Sequence, residues 1–325
     1  MKIEVIGAGS FGLALARLLG LAGHEVSLWA RSAAQRDELR TTRQCQAYLP
    51  GIVLPPKVSI ADTPAGEADL AVLAVPSHAM RGVLESLPLK PGGIRLSVAK
   101  GIEVDTLQRM SEVIAACAPG GPVVALSGPS HAEEVGRDLP ASLVAASADT
   151  AAAEAVQEAF RGPSMRVYTS DDVVGVELGG ALKNVIAIAA GACEGLGLGD
   201  NAKAALVTRG LAEISRLGVA CGADPLTFAG LSGMGDLIAT CWSGHSRNRA
   251  VGEAVAKGET LDQILGRTTM VAEGVRTTRS AVALAQRAGV EMPICESVYE
   301  VLFNGAPPAV ALAKLMMRES KPERA

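Results

Sequence analysis

The chain has 325 residues, room for two globular domains, and its 49% hydrophobic and 20% charged residues, with 36 Gly and 17 Pro, exclude disordered and collagen-like classes. A net charge of −4 and 3% aromatic residues leave neither a basic face for phosphate backbones nor stacking platforms for single strands, so nucleic acid is not an expected partner. The six cysteines, Cys45, Cys117, Cys193, Cys221, Cys241 and Cys295, form no C-x-x-C pair and never cluster with histidine, which points to core positions rather than disulfides or a metal site.

The first residues, Met1 to Glu4, lead straight into an apolar strand without the three-part pattern of a secretory signal, so the cytoplasm is the expected compartment. Short β-rich runs at 3–6 and 25–29 alternate with helical patterns at 10–22 and 33–40, the rhythm of a parallel sheet with crossover helices. Apolar runs at 70–75, 94–98, 123–127 and 143–146 continue it into a doubly wound sheet. Two segments interrupt the rhythm. Residues 41–59, with Leu-Pro-Gly and Leu-Pro-Pro turns, read as a surface excursion, and 161–169 contain Gly and Pro. From about residue 172 the strand signal fades, and apolar residues recur at three- and four-residue spacings through 178–193, 201–221 and 248–257, predicting an all-helical second half with a boundary near residue 175. The most apolar run, 185–193, is about half the length a bilayer crossing needs, so it reads as a buried helix and no stable membrane insertion is expected.

Gly7-x-Gly9-x-x-Gly12 follows the first strand and opens the first helix, the context that turns a weak pattern into a dinucleotide fingerprint. The first glycine permits the tight turn, the second lets backbone approach a pyrophosphate, and the third lets helix and strand pack closely, with the helix N-terminus facing the phosphates. Residues 1–175 are therefore expected to form a Rossmann-type dinucleotide-binding domain of α/β class. After the second strand, where an NAD-selective site carries Asp or Glu, the sequence runs Trp29-Ala30-Arg31-Ser32. The missing carboxylate removes a repulsive neighbour of a 2′-phosphate and Arg31 offers an attractive one, favouring NADP(H), with NAD(H) still open and Arg31 alternatively a plain solvated charge.

Two further strand ends, Lys100-Gly101 and Ser127-Gly128-Pro129-Ser130-His131, carry polar groups where such folds bind ligands. In the helical half, Lys183 and Asn184 interrupt an apolar helix beside Gly179 and Gly180. Lys183 is either a snorkelling or salt-bridged side chain, or a buried amine whose depressed pKa suits proton exchange with a carbonyl or alcohol oxygen. Asp236 and Thr240 share one helix face. Ser246 is a plausible N-cap that places Arg247 and Asn248 in a first helical turn, a setting for a substrate phosphate, unless Arg247 and Arg249 are solvated surface charges. His24, His78, His131 and His245 have no legible carboxylate partner, which leaves a histidine-based mechanism the weaker alternative.

With these segments in order, together with Val75-Pro76-Ser77, Gly199-Asp200-Asn201 and Gly233-Met234-Gly235-Asp236, nearly the whole chain resembles the bacterial NAD(P)-dependent glycerol-3-phosphate dehydrogenases. The resemblance implies interconversion of dihydroxyacetone phosphate and sn-glycerol 3-phosphate, the phospholipid backbone precursor, without a metal, by a homodimer. It implies Lys183 as general acid/base, with Lys100, Asp236 and Thr240 around the reacting oxygen. It implies substrate contacts from Gly128, Ser130, Ser246, Arg247 and Asn248, as well as from Lys100, Lys183 and Asp236. It places Gly7, Gly9, Ser10, Phe11, Gly12, Arg31, Lys100, Ala132, Arg247, Val271 and Glu273 on the cofactor. Phe11 stands where the family often has a small polar residue. Residues 176–325 are then the substrate-binding and catalytic domain. The rivals are a keto-acid reductase, which would not need the Ser246-Arg247-Asn248 anion site, and a silent nucleotide-binding regulator, which would not need Lys100, Lys183, Asp236 and Arg247 together.

Overall fold

Strands β1 (Lys2–Ile6), β2 (Glu25–Trp29), β3 (Ser59–Ala61), β4 (Leu70–Leu73), β5 (Ile94–Ser97), β6 (Val123–Ser127), β7 (Ala141–Ala146) and β8 (Met165–Ser170) form one eight-stranded sheet, in the order β3-β2-β1-β4-β5-β6-β7-β8. The structure is a computed structural model and describes residues 1–267, 271–319 and 322. Strands β1 to β6 pair in parallel, as a βαβ chain requires. Helices α1 (Ser10–Leu21), α2 (Ala33–Thr42), α3 (Met80–Ser86), α4 (Met110–Cys117), α5 (Ala132–Gly136) and α6 (Thr150–Ala159) make most of the crossovers. Alternation along the strands decides which cover each residue meets. Ile3 and Val5 of β1 pack with Leu15 and Leu19 of α1, whereas Ile6 packs with Met80 and Leu84 of α3 and Ile114 of α4. The doubly wound reading holds over these six strands.

Three details differ from the sequence-based expectation. The short α5 connection returns the chain beside β6 in the opposite direction, so β7 pairs antiparallel with β6. Residues expected to interrupt the sheet form its edge: Gly162 and Pro163 turn the chain, and β8 then pairs in parallel with β7. The segment 41–59 is no surface excursion, because Cys45, Leu49, Leu54 and Val58 are buried in the same core as α1. Arg43 holds its fold by donating to the carbonyls of Pro55 at 2.5 Å and Val58 at 2.6 Å. Sequence hydropathy did not register these turns because their apolar residues lack a regular period.

After β8 ends at Ser170, α7 (Val173–Gly195) begins, and the described residues beyond it form helices and no further strand, among them α8 (Gly199–Ala220), α9 (Asp236–Trp242), α10 (Arg247–Ala256), α11 (Leu261–Gly266), α12 (Glu273–Ala288), α13 (Pro293–Phe303) and α14 (Pro308–Met316). Asp172 starts α7 by accepting the Gly175 N–H at 2.8 Å. By length and composition α7 could cross a membrane, yet 83% of its apolar window is buried by the surrounding protein, chiefly by the helices of this half. Four cysteines, Cys45, Cys193, Cys241 and Cys295, are buried, Cys117 and Cys221 are half-buried, and all six are free thiols.

Helices α7 and α10 cross at contact distance between backbones. A Cβ at Gly252 would run into the Ile188 carbonyl, and one at Gly191 into the Arg249 carbonyl. Backbone cannot yield as a side-chain tip can. Gly252→Ala is therefore expected to lower unfolding stability by about 1–3 kcal/mol through overpacking, read as a lower urea midpoint at constant slope. An unchanged midpoint would mean that the crossing has slack.

Candidate active site

The first βα turn is built by its glycines. Gly7 has φ +112°, and a Cβ there would lie within 3 Å of the Ala74 backbone at the end of β4. Gly12 fits because its missing Cβ leaves room for the Gly7 carbonyl. Gly9, by contrast, faces open space and precedes α1 without any side-chain cap. The loop thus has the cradle, and the uncapped helix start, that a dinucleotide pyrophosphate needs. The Ser10 hydroxyl donates to the Tyr48 carbonyl at 2.6 Å, which ties the folded 41–59 segment to this loop. Phe11 is half-buried and packs against the sheet core. Arg31 is exposed just beyond β2, and Ala132, buried, opens α5.

In the helical half, Asp236 stands at the start of α9 with both carboxylate oxygens engaged. Lys183 of α7 donates to Oδ1 at 2.6 Å, and Lys100, beyond β5, donates to Oδ2 at 2.7 Å. Thr240, one turn along α9, accepts from Lys183 at 2.5 Å and donates to the Asp236 backbone carbonyl at 2.7 Å. Lys100 also donates to the Gly128 carbonyl at 2.8 Å, and Ser130 donates to that oxygen at 3.0 Å. Gly128, at φ +133°, takes a conformation that L residues rarely adopt, and it is this turn that brings its carbonyl to Lys100.

An ammonium has three N–H donors. Lys183 and Lys100 each spend two within the described residues and keep one for an incoming oxygen. Two cations against one anion leave the cluster with positive charge, suited to a negatively charged or polarised oxygen. Burial pushes the Lys183 ammonium down to about 8, with Asp236 opposing the shift and Lys100 adding to it. Burial pushes Asp236 up, but Lys100 and Lys183 together outweigh it and hold the carboxylate below its ordinary range.

A second network joins the halves. Asn184 donates to the Lys100 carbonyl at 3.2 Å and accepts from Asn248 at 2.9 Å, while the Asn248 oxygen accepts the Gly274 N–H at 2.9 Å. Asn248 is thus tied through its oxygen and one amide N–H, and its second amide N–H has no partner among the described residues. Ser246 does cap α10, accepting the Arg249 N–H at 3.2 Å. Arg247 is exposed and donates to the Val271 carbonyl at 3.2 Å, whereas Arg249 is held by Glu194 at 2.7 Å and Glu253 at 3.1 Å. Glu273, expected on the cofactor, gives both oxygens to Ser77: to its N–H at 2.8 Å and its hydroxyl at 2.6 Å. Ser77 and Asn184 are the residues whose part was missed. Their signal was a polar side chain at a strand end and another inside an apolar helix.

His131 lies close to His245, with ring centroids 6.0 Å apart, and its Nε2 faces the Ala239 carbonyl at 3.4 Å. It has no carboxylate partner among the described residues, and burial lowers its pKa, so it lacks the paired acid of a histidine-based hydride-transfer site. Because Asp236 is the group that holds the Lys183 pKa up against burial, Asp236→Asn is expected to move the Lys183 titration below about 8. Nitrogen NMR of the lysine ammonium in the folded variant measures it, and an unmoved or raised midpoint would contradict the assignment.

Residues 2–153 match the family described as NAD-dependent glycerol-3-phosphate dehydrogenase N-terminus, and residues 172–313 match its C-terminus. Over 330 residues the chain is 52% identical to a glycerol-3-phosphate dehydrogenase [NAD(P)+] of Desulfitobacterium hafniense, covering 99% of this chain and 93% of that protein. It is 53% identical to the Geobacter sulfurreducens protein of the same name, covering 99% of each. The crystal structure of glycerol-3-phosphate dehydrogenase from Coxiella burnetii superposes with a TM-score of 0.94 at 34% identity, over 98% of this chain and 99% of that one. With both halves matched in order and relatives at this identity over nearly its full length, the chain belongs to the NAD-dependent glycerol-3-phosphate dehydrogenase family.

Proposed function

We propose that this protein interconverts dihydroxyacetone phosphate and sn-glycerol 3-phosphate, with NADP(H) preferred to NAD(H), and so supplies glycerol 3-phosphate for phospholipid synthesis. The carrying observation is the buried Asp236 carboxylate shared between Lys183 and Lys100, which leaves one N–H on each lysine for a single substrate oxygen. Residues 1–175 hold the dinucleotide in this reading and residues 176–325 hold the triose.

When bound, the nicotinamide supplies the hydride that reaches the ketone carbon. Lys183, still protonated below about pH 8, donates its remaining proton to the ketone oxygen, which becomes the hydroxyl. In the reverse direction, neutral Lys183 accepts that proton. Lys100 steadies the same oxygen, and Asp236 and Thr240 orient Lys183 without touching substrate. The exposed Arg247 offers its unused guanidinium N–H groups to the substrate phosphate, and the capped first turn of α10 adds its dipole there. Asn248 contributes the one amide N–H that Asn184 does not take. Ser130 and Gly128 form the wall beside Lys100. On the cofactor side, Arg31 reads the 2′-phosphate, while Gly7, Gly9, Ser10, Phe11, Gly12 and Ala132 border the cleft.

A substrate panel with both reduced nucleotides tests the reading: dihydroxyacetone phosphate is expected to be reduced, with NADPH the better donor. Turnover of an unphosphorylated keto acid and none of the phosphorylated triose would overturn it. Lys183→Ala is expected to bind nucleotide nearly as before and to lose about two to four orders of magnitude in turnover, as loss of a general acid does; retained turnover would remove Lys183 from the mechanism. Arg31→Asp is expected to invert the preference toward NADH, measured as the ratio of kcat/KM values for the two nucleotides, and an unchanged ratio would show that Arg31 does not read the 2′-phosphate.

A further inference from the structure

The double hydrogen bond from Ser77 to Glu273 fixes the first turn of α12 against the turn at Ser77–Ala79 that follows β4. Arg276 lies three residues beyond Glu273, on the same face of the helix, and His78 follows Ser77. On the other side of β1, Arg31 sits just past the end of β2. Strand ends separated by one intervening strand are about 10 Å apart, and the Gly7–Gly12 loop leaves the sheet between these two. The side chains of Arg31 and Arg276 are exposed, and neither has an ion pair or a hydrogen-bond partner among the described residues. Their charges both reach the His78 ring. Desolvation is the larger cause of its lowered pKa, with Arg276 and Arg31 adding to the shift and Glu273 opposing it. Glu273 is not available to either arginine as a full partner, since both its oxygens are bound to Ser77, and Asp62, beyond β3, is paired with Arg36 and Arg40.

Two exposed guanidiniums without an ion pair among the described residues, one past the end of β2 and one on the α12 turn tied to the end of β4, flank the strand whose end carries the glycine loop and offer a place for an anion between the sheet half and the helical half. We propose that Arg276, from the helical half, binds a phosphate group of the dinucleotide opposite Arg31, with His78 at the edge of the same cradle and Glu273 acting as the residue that positions Arg276. The proposal rests on the dinucleotide reading above and deepens it. It adds a cofactor ligand from the helical half, so that nucleotide binding draws the two halves together. The ligand chemistry is a phosphate, supplied either by the 2′-phosphate of NADP(H) or by the pyrophosphate common to both nucleotides.

Direct fluorescence titration of the intact protein with NADPH and with NADH, without substrate, tests it. Arg276→Ala is expected to weaken NADPH binding by about tenfold or more, a loss typical of a charge-assisted contact, and Arg276→Lys is expected to recover part of it. A loss confined to NADPH assigns the cradle to the 2′-phosphate, and an equal loss for NADH assigns it to the pyrophosphate; both support the proposal. Glu273→Ala, which frees the α12 turn, should weaken the same nucleotide. Unchanged affinity for both nucleotides in Arg276→Ala, in a variant with the wild-type melting temperature, would overturn it. Wild-type protein that binds neither nucleotide would instead remove the dinucleotide reading itself, a separate result.

Discussion

The arrangement of the site depends on one buried carboxylate. Asp236 is 2% exposed and would be costly there alone, as would Lys183 at 5%. Each is tolerable because the other is present, and the second oxygen of Asp236 gathers Lys100 from a strand end in the other half of the chain. The cluster is therefore a joint between the two halves. Burial lowers the Lys183 pKa while the shared carboxylate keeps the fall moderate, leaving an amine able to give or take a proton near neutral pH.

That joint works because its elements are held rigidly behind it. Helix α7 presents Lys183 and Asn184 consecutively from a largely buried helix, packed by α8, α9, α10 and α12. Asn184 passes the alignment to the Lys100 backbone on one side and to Asn248 and Gly274 on the other. The Ser77–Glu273 bonds make a second crossing between the halves close to the glycine loop. Displacing α12 would strain both crossings, so the glycine-loop end of the sheet and the lysine cluster share one mechanical frame.

Much of this was legible beforehand, for identifiable reasons. The first strand, glycine loop and helix are encoded locally: Gly7 needs its positive φ, and the run from Ser10 to Leu21 has the apolar period of a helix. Ser246 announced its helix because a cap and the turn it closes lie within four residues. The segments that misled were those whose order depends on distant partners. Strand β8 exists because β7 offers it an edge, and the 41–59 segment is buried because α1 and the sheet supply a surface for its unperiodic apolar residues. The contacts of Glu273 and Asn248 were not legible for the same reason, since their partners, Ser77 and Asn184, are 196 and 64 residues away in the chain.

The sequence by itself determined the α/β class followed by helices, the dinucleotide loop, and the polar residues placed where an apolar helix or a strand end has no packing use for them. Periodicity and local backbone preference act over a few residues, and a single chain displays them directly. Only the tertiary structure decided which of those residues meet. It brought Lys100 and Lys183 onto one carboxylate, tied Asn248 to Asn184 and tied Glu273 to Ser77. Such contacts depend on how helices and strands far apart in the chain pack together, and no local pattern records the distances that result.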